Sequence, residues 1–186
     1  MRTLWTETEA EFHGRYVDFD KVAMEPKCVQ RPHVPIWVGG IGKHARRRIV
    51  EYGDGWGAPI PWPMDRLGRE VERIKRDVAA AGRDPEMLSY AAGLTFGEID
   101  ATFREMASHV GSIPSGSALA PKADEAIDLV GQYADMGFTD VVVNTDWSTP
   151  ADLSEKLGAF SEDVMRRFSA PAPDRAQPDG TTTTTG

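Results

Sequence analysis

Short apolar segments alternate with amphipathic segments four times along this chain of 186 residues, and the alternation constrains the fold more than any other feature. The apolar segments predict strands at 34–38, within 54–63, at 87–96 and at 140–144. The amphipathic segments predict helices over 43–52, 65–82, 123–136 and 151–168. Strands that alternate with helices call for a parallel sheet with helices on its faces.

The helix over 65–82 has the clearest pattern of the four. Its apolar positions are spaced by four, three and four, which places them on one face: Leu67, Val71, Ile74 and Val78. Asp65 is placed to cap the start of this helix. The last strand, 140–144, is a continuous β-branched run, which predicts a strand covered on both faces. Residues 99–110 look helical, and 111–117 look like a loop.

Two architectures fit the alternation of strands and helices. One is a small doubly wound sheet, and the other is half of an eight-stranded barrel, whose whole length would be about 250 residues. Periodicity alone does not separate them.

Composition narrows the class of protein. The formal net charge is −8, with acidic residues scattered among the basic ones, which argues against a nucleic-acid binder. No long apolar run or signal-peptide pattern occurs, so a cytoplasmic protein is expected. The single cysteine, Cys28, excludes an intramolecular disulfide. His13, His33 and His109 show no metal-ligand spacing, so no metal site is expected.

Three segments near the start of the chain resemble the luciferase-like monooxygenase family. They are Phe12-His13-Gly14 with Tyr16-Val17-Asp18-Phe19, the stretch Pro26-Lys27-Cys28-Val29-Gln30, and Pro35-Ile36-Trp37-Val38-Gly39-Gly40. Later segments continue the resemblance at 52–56 and 137–143. Cys28 departs from the proline that is usual in the family, and Ile41-Gly42 departs from its small polar residue.

The resemblance implies an α/β fold, the C-terminal half of a (β/α)8 TIM barrel with four parallel strands alternating with helices. Residues 1–33 would be the end of a barrel helix and an extended connection, and 34–168 the half-barrel with strands five to eight. A disordered tail is predicted over 169–186, which is rich in Pro and Thr. The first four strand-helix units are missing, so a truncated gene product or one half of a split barrel is expected. The catalytic residues, which the family takes mostly from that missing half, stay unassigned.

A candidate cofactor site lies at the end of the first predicted strand. Paired glycines let the backbone approach a ligand closely, and the next helix start offers N–H groups to a phosphate. On spacing alone, a tight turn without a ligand is the better interpretation. The resemblance reverses that preference and implies phosphate binding by Val38, Gly39, Gly40, Ile41 and Gly42. The cofactor implied is coenzyme F420, with FMN as the alternative.

Four further residues are candidates for a substrate pocket, because barrel enzymes build pockets from the loops that follow their strands. They are Trp56, Trp62, Asn144 and Asp146. For each tryptophan the alternative is a side chain that merely covers the end of the sheet. For Asn144 and Asp146 it is an ordinary loop start.

The resemblance implies an F420- or FMN-dependent oxidoreductase or monooxygenase that transfers hydride or inserts oxygen. In such an enzyme the cofactor carries the redox chemistry and the protein supplies binding and orientation. A small-molecule substrate is expected if the barrel is completed, with neither nucleic acid nor membrane as a partner. The alternative is a non-catalytic half-barrel remnant that self-associates, pairs with a missing N-terminal half, or is inactive.

Overall fold

The computed structural model describes residues 1–59, 62–97, 119–120 and 122–168. The helix and loop predicted over 99–117 and the tail predicted over 169–186 lie outside these residues and stay predictions.

The chain begins with a short helix and an antiparallel hairpin and continues as strands and helices in alternation. The elements are α1 (Arg2–Thr6), β1 (Ala10–His13), β2 (Asp18–Val22), β3 (Trp37–Gly39), α2 (Lys43–Tyr52), β4 (Gly55–Gly57), α3 (Met64–Ala80), β5 (Ser89–Phe96), β6 (Leu119–Ala120), α4 (Ala123–Asp135), β7 (Asp140–Asn144) and α5 (Pro150–Phe160). A 3₁₀ turn at Pro85–Met87 leads into β5, and a π-helical turn at Ser161–Met165 extends α5.

The central sheet follows the pairing order β3-β4-β5-β6, and β7 also pairs with β5. The pairs β3–β4, β4–β5 and β5–β6 are parallel, with Trp37 opposite Gly55, Trp56 opposite Tyr90 and Thr95 opposite Leu119. The predicted alternation around a parallel sheet is therefore confirmed. The two-residue strand β6 was not predicted, because a segment that short has no measurable periodicity.

The chain forms two compact units. The first comprises residues 1–59, 63–92 and 136–140, and the second the described residues among 60–62, 93–135 and 141–186. The largest fully buried side chains of the first unit are Ile49, Trp56, Val71, Ile74, Val78 and Tyr90. Those of the second are Leu94, Tyr133 and Val164.

Helix α3 forms where its apolar spacing predicts. All four predicted positions on its apolar face are buried. The capping role predicted for Asp65 is wrong, because the helix starts one residue earlier, with Pro63 at the cap position and no side-chain cap bond. Asp65 lies inside the first turn, where its charge favours the helix dipole, and pairs with Arg69 one turn later.

Strand β7 has the predicted bounds but not the predicted burial. Val142 is 46% exposed, while Val141 and Val143 are half-buried. Alternate residues of a strand point to opposite faces, so one face of β7 is partly covered and the other is open. The expectation of a strand covered on both faces is wrong for this chain.

The segment described from sequence as an extended connection contains a hairpin. Strands β1 and β2 pair antiparallel, with Phe12 opposite Phe19 and His13 opposite Asp18. The rings of Phe12 and Phe19 lie 6.3 Å apart, and the Nδ1 of His13 is 2.7 Å from a carboxylate oxygen of Asp18. The extended connection expected over 1–33 therefore includes two paired strands.

In the part of the chain that the structure describes, every helix is too short or too polar to cross a lipid bilayer.

Candidate functional site

The predicted phosphate-binding residues form an open turn between β3 and α2. Gly40 has φ +91°, and Gly42 has φ +80° with ψ −172°. Residues with a Cβ rarely adopt these backbone conformations. A Cβ added at Gly39, Gly40 or Gly42 would meet no atom within 4 Å. Glycine is therefore required at two of these positions by the backbone, and the space above the turn is open.

The buried side chain of Trp56 is hydrogen-bonded to this turn. Its indole Nε1 donates a hydrogen bond of 2.7 Å to the carbonyl of Gly40, and its ring stacks on Phe138 with centroids 5.9 Å apart. The side chain is 0% exposed. Two predicted site residues, Trp56 and Gly40, are thus brought together, and Trp56 positions the turn. Its predicted place in a pocket wall stays a prediction.

Glu70 of α3 reaches the same turn from the protein interior. It is 6% exposed, and its Oε1 accepts from the backbone N–H of Gly42 at 3.2 Å. The same oxygen accepts from Arg46 at 2.8 Å, while Arg73 lies 3.4 Å from the other oxygen. Sequence reasoning missed Glu70. Its spacing of three residues from Leu67 and four from Ile74 places it beside the buried face of α3, but that spacing does not indicate its partners.

The charge state of Glu70 follows from these contacts. Burial raises the pKa of this carboxyl, but the hydrogen bonds from Arg46 and the Gly42 amide and the charge of Arg46 outweigh it. The pKa of Glu70 therefore lies below its ordinary value, and the pKa of Arg46 is raised, chiefly by its hydrogen bond to Glu70. A charged carboxylate is locked under the turn at neutral pH.

Helix α2 begins at the turn and presents its N-terminus there. No side chain caps it, and Ile41, Lys43 and His44 are exposed. The N–H groups of a first helical turn and the positive end of the helix dipole attract anions. The outer side of the turn therefore has donors for an anionic group, while the Gly42 amide is committed to Glu70.

The other predicted pocket residues belong to the second unit. Trp62 is half-buried, and Asn144 is exposed at the end of β7. Asp146 is engaged by Lys156, whose Nζ lies 3.0 Å from both the carboxylate and the carbonyl oxygen of Asp146. The Lys156 contact gives Asp146 a local structural role, and its role in a pocket stays a prediction.

Thr95 near the end of β5 was not predicted as a site residue. It is 4% exposed, and its hydroxyl oxygen is buried with no hydrogen-bond partner among the described residues. Unpaired buried hydroxyls are rare because they lose their bonds to water. A threonine within an apolar strand gives no sequence signal of this kind.

The hairpin brings together groups that the sequence spacing kept apart. Ligand atoms of Glu11, His13 and Asp20 lie within 4.8 Å of one another, on exposed side chains. Both ring nitrogens of His13 face carboxylates, at 2.7 Å from Asp18 and 3.3 Å from Asp20. Because these contacts form across two strands, histidine spacing alone could not reveal them. The expectation of no metal site stays a prediction.

Comparison with known proteins supports the resemblance seen in the sequence. The family model for luciferase-like monooxygenases matches residues 1–100, more than half of the 186 residues. The match includes β3, the glycine turn, α2 and α3, so the elements that build the turn are those the family model describes.

The chain matches the following two curated relatives over less than a third of each relative's length. An uncharacterized protein of Mycobacterium tuberculosis is 41% identical over 86 residues, which are 45% of this chain and 29% of the relative. An FMNH2-dependent dimethylsulfone monooxygenase of Pseudomonas putida is 29% identical over 82 residues, 44% of this chain and 22% of that enzyme.

A solved structure resembles a larger share of the chain. It is an F420-dependent secondary alcohol dehydrogenase in complex with an F420-acetone adduct, at a TM-score of 0.67 and 17% identity. The similarity covers 88% of this chain and 58% of that one. This likeness confirms the predicted fold, that of part of a TIM barrel.

Proposed function

This chain belongs to the luciferase-like monooxygenase family, and from that premise we propose that its glycine turn binds the phosphate of a deazaflavin or flavin cofactor. The observation that carries the proposal is the open backbone at Gly39, Gly40 and Gly42, where a Cβ would fill space that a ligand needs. The reaction class is that of an oxidoreductase or monooxygenase. The cofactor, when bound, supplies hydride transfer or oxygen activation.

Each residue around the turn has a separate role in the proposed binding of the phosphate. Gly39 and Gly40 let the phosphate approach the main chain, and the first turn of α2 supplies N–H donors and the positive end of its dipole. Trp56 fixes the carbonyl of Gly40, so this group is kept turned away from an approaching anion. Lys43 and His44 on the exposed helix start add basic character at the same place. The turn therefore fits a phosphate group.

Coenzyme F420 is our first choice of cofactor, and FMN is the alternative. The F420-dependent alcohol dehydrogenase resembles this chain in structure at a TM-score of 0.67, and the FMNH2-dependent monooxygenase is 29% identical to part of it in sequence, so each cofactor has a relative that supports it. This chain covers 58% of the F420-dependent alcohol dehydrogenase. We therefore propose a substrate only for a complete barrel, whose other strands would supply further residues of the substrate pocket.

A fluorescence titration of the purified chain with F420 and with FMN tests the proposal. The wild-type chain should bind at least one of them. Gly42→Ala should weaken that binding about tenfold or more, because an alanine in this backbone region costs about 1–3 kcal/mol and shifts the turn away from its native conformation.

Gly131→Ala is the matched control, since Gly131 lies within α4 and an added Cβ would meet nothing within 4 Å. It should leave cofactor binding unchanged and stabilise the helix by up to about 1 kcal/mol. Circular dichroism of both variants separates a local effect on the turn from loss of the fold. If wild type binds neither cofactor, the chain by itself does not have the proposed function.

Pairing with another polypeptide is a second candidate function, favoured by the exposed edge of the sheet. Within the described residues β3 pairs with β4 alone, and Trp37 on β3 is 42% exposed. Open strand edges that carry large apolar side chains promote association. Light scattering after size exclusion at several concentrations should then report a mass above that of the monomer, and Trp37→Lys should lower it. A monomer at all concentrations contradicts self-association.

A further inference from the structure

We infer that Glu70 is the positioning residue of the glycine turn: by accepting the Gly42 N–H from the interior, it holds the turn in its open conformation and presents the α2 N-terminus to the phosphate. The inference deepens the proposed function and rests on it for the identity of the ligand. Glu70 itself is not proposed to touch the cofactor.

The carboxylate of Glu70 connects α3 to α2 and to the backbone N–H of Gly42. Its Oε1 lies 3.2 Å from the Gly42 nitrogen and 2.8 Å from the guanidinium of Arg46, one turn further along α2. Arg46 also donates to Asp77 of α3 at 2.9 Å. A hydrogen bond to a charged group is stronger than one between neutral groups, so this contact can hold a turn whose conformation is unfavourable for most residues.

The position of Glu70 argues that it supports the turn and does not compete with a ligand. Its side chain is 8% exposed, whereas Gly39 and Gly40 of the turn are exposed. Its charge is balanced locally, because Arg46 and Arg73 both contact the carboxylate. A phosphate that approaches from solvent therefore meets the exposed amides and not the carboxylate.

Removing the carboxylate should have two separate effects. The Gly42 amide loses its acceptor, and Arg46 and Arg73 lose their common partner. Asp77→Asn provides the matched control, because it removes the charge of another partner of Arg46 without touching the turn. Glu70→Gln is intermediate, since its amide oxygen can still accept from Gly42 but does not carry the charge.

The first measurement needs no ligand. Amide hydrogen exchange of the full chain, followed by NMR, should show Gly42 protected in wild type and exchanging about tenfold faster in Glu70→Ala. Glu70→Gln should fall between the two, and Asp77→Asn should match wild type. Equal exchange at Gly42 in Glu70→Ala and wild type overturns the inference.

The second measurement isolates the phosphate. Dissociation constants are compared for FMN against riboflavin, and for F420 against its phosphate-free deazariboflavin core. Glu70→Ala should weaken the phosphate-bearing ligand about tenfold and the phosphate-free one by less than about twofold. General loss of structure would weaken both equally, so the ratio separates positioning from folding.

The outcomes distinguish the two proposals. If wild type shows no preference for the phosphate-bearing ligands, the proposed phosphate site is wrong, while the exchange of Gly42 still decides the role of Glu70. If wild type prefers them and Glu70→Ala keeps that ratio or binds them more tightly, Glu70 does not position the turn. Faster exchange at Gly42 together with a lower ratio in Glu70→Ala, absent in Asp77→Asn, establishes the inference.

Discussion

Glycines in this chain are required for two different physical reasons. At Gly40 and Gly42 the backbone has positive φ, whereas at Gly53 and Gly55 a Cβ would collide with neighbouring atoms. At Gly53 the nearest atom would be the Cα of Ile49, at 2.9 Å, so the glycine that ends α2 is needed for close packing. Its φ of −77° is not left-handed, so helix termination by a left-handed glycine is not the reason for its presence.

Strand β4 offers a matched test of the packing requirement. A Cβ at Gly55 would lie 2.9 Å from the carbonyl oxygen of Ser89 and 2.7 Å from the ring of Trp37, but one at Gly57 meets nothing within 4 Å. Gly55→Ala should lower the free energy of unfolding by about 1–3 kcal/mol, and Gly57→Ala should change it by less than about 1 kcal/mol. Urea unfolding of both variants measures the difference, and equal values would contradict the predicted overlap.

The sequence could predict the residues of the turn but not their supports. Paired glycines after an apolar strand are visible in the sequence, and the positive φ values of Gly40 and Gly42 agree with a strand-to-helix turn. The contacts from Trp56 and Glu70 cross 16 and 28 residues of chain. Such contacts depend on how elements pack, and periodicity within one element carries no information on them.

At the scale of the element, helix α2 ends at a set of carbonyl groups held by one side chain. The guanidinium of Arg83 donates to the carbonyls of Ile49 at 2.8 Å, Val50 at 2.9 Å and Gly53 at 2.7 Å. The carbonyl of Ile49 also accepts from the Gly53 N–H at 3.0 Å, so Arg83 adds a second donor there. Carbonyls of a last helical turn lack the partners that a further turn would supply, and a cation at a helix C-terminus also favours the dipole. Arg83 therefore joins the turn after α3 to the end of α2.

Arg83→Ala should destabilise the chain by about 2 kcal/mol, because it removes several charge-assisted hydrogen bonds at once. Arg47→Ala is the control, since Arg47 is exposed and lies 3.6 Å from Glu51 on the helix surface; its loss should cost less than about 0.5 kcal/mol. Chemical denaturation followed by circular dichroism gives both values. A cost for Arg83→Ala no larger than that for Arg47→Ala would show that the carbonyls are equally well satisfied by water.

Elements with strong periodicity were predictable, and short paired ones were not. Helix α2 has the predicted bounds of 43–52, and β7 those of 140–144. The sequence indicates the hairpin of β1 and β2 only as extended chain, because strands of four and five residues with mostly exposed side chains show little apolar alternation. Its family-like Phe-His-Gly motif marked the segment without indicating the pairing.

At the scale of the whole molecule, periodicity left a doubly wound sheet and a half-barrel equally open. The family match and the structural likeness to part of a TIM barrel decide between them. The difference lies in sheet curvature and in pairing between distant strands, which local patterns of burial do not encode. Burial of tyrosine side chains, by contrast, can be measured in solution, because it makes the free energy of unfolding depend on pH in the alkaline range.

Two tyrosines of the core couple the stability of the molecule to alkaline pH. Burial raises the pKa of Tyr133 from 10.0 to about 12, and burial together with the charge of Glu86 raises the pKa of Tyr90 to about 12. Between pH 10 and 12 the unfolded chain loses these protons while the folded chain keeps them. The stabilisation is therefore complete below pH 10 and decreases as the pH rises towards 12.

Tyr133→Phe tests this coupling against Tyr16→Phe, since Tyr16 is 85% exposed. The first variant should be about 1 kcal/mol less stable at pH 8, because the hydroxyl of Tyr133 donates to the carbonyl of Gly93 at 2.8 Å. Its free energy of unfolding should then fall less steeply than that of wild type above pH 10, because the variant lacks the Tyr133 hydroxyl whose pKa is raised by burial. Urea unfolding at a series of pH values measures both slopes, and lysine titration, common to all three proteins, cancels in the comparison. Parallel slopes for wild type and Tyr133→Phe would mean that Tyr133 ionises in the folded chain as readily as in the unfolded chain.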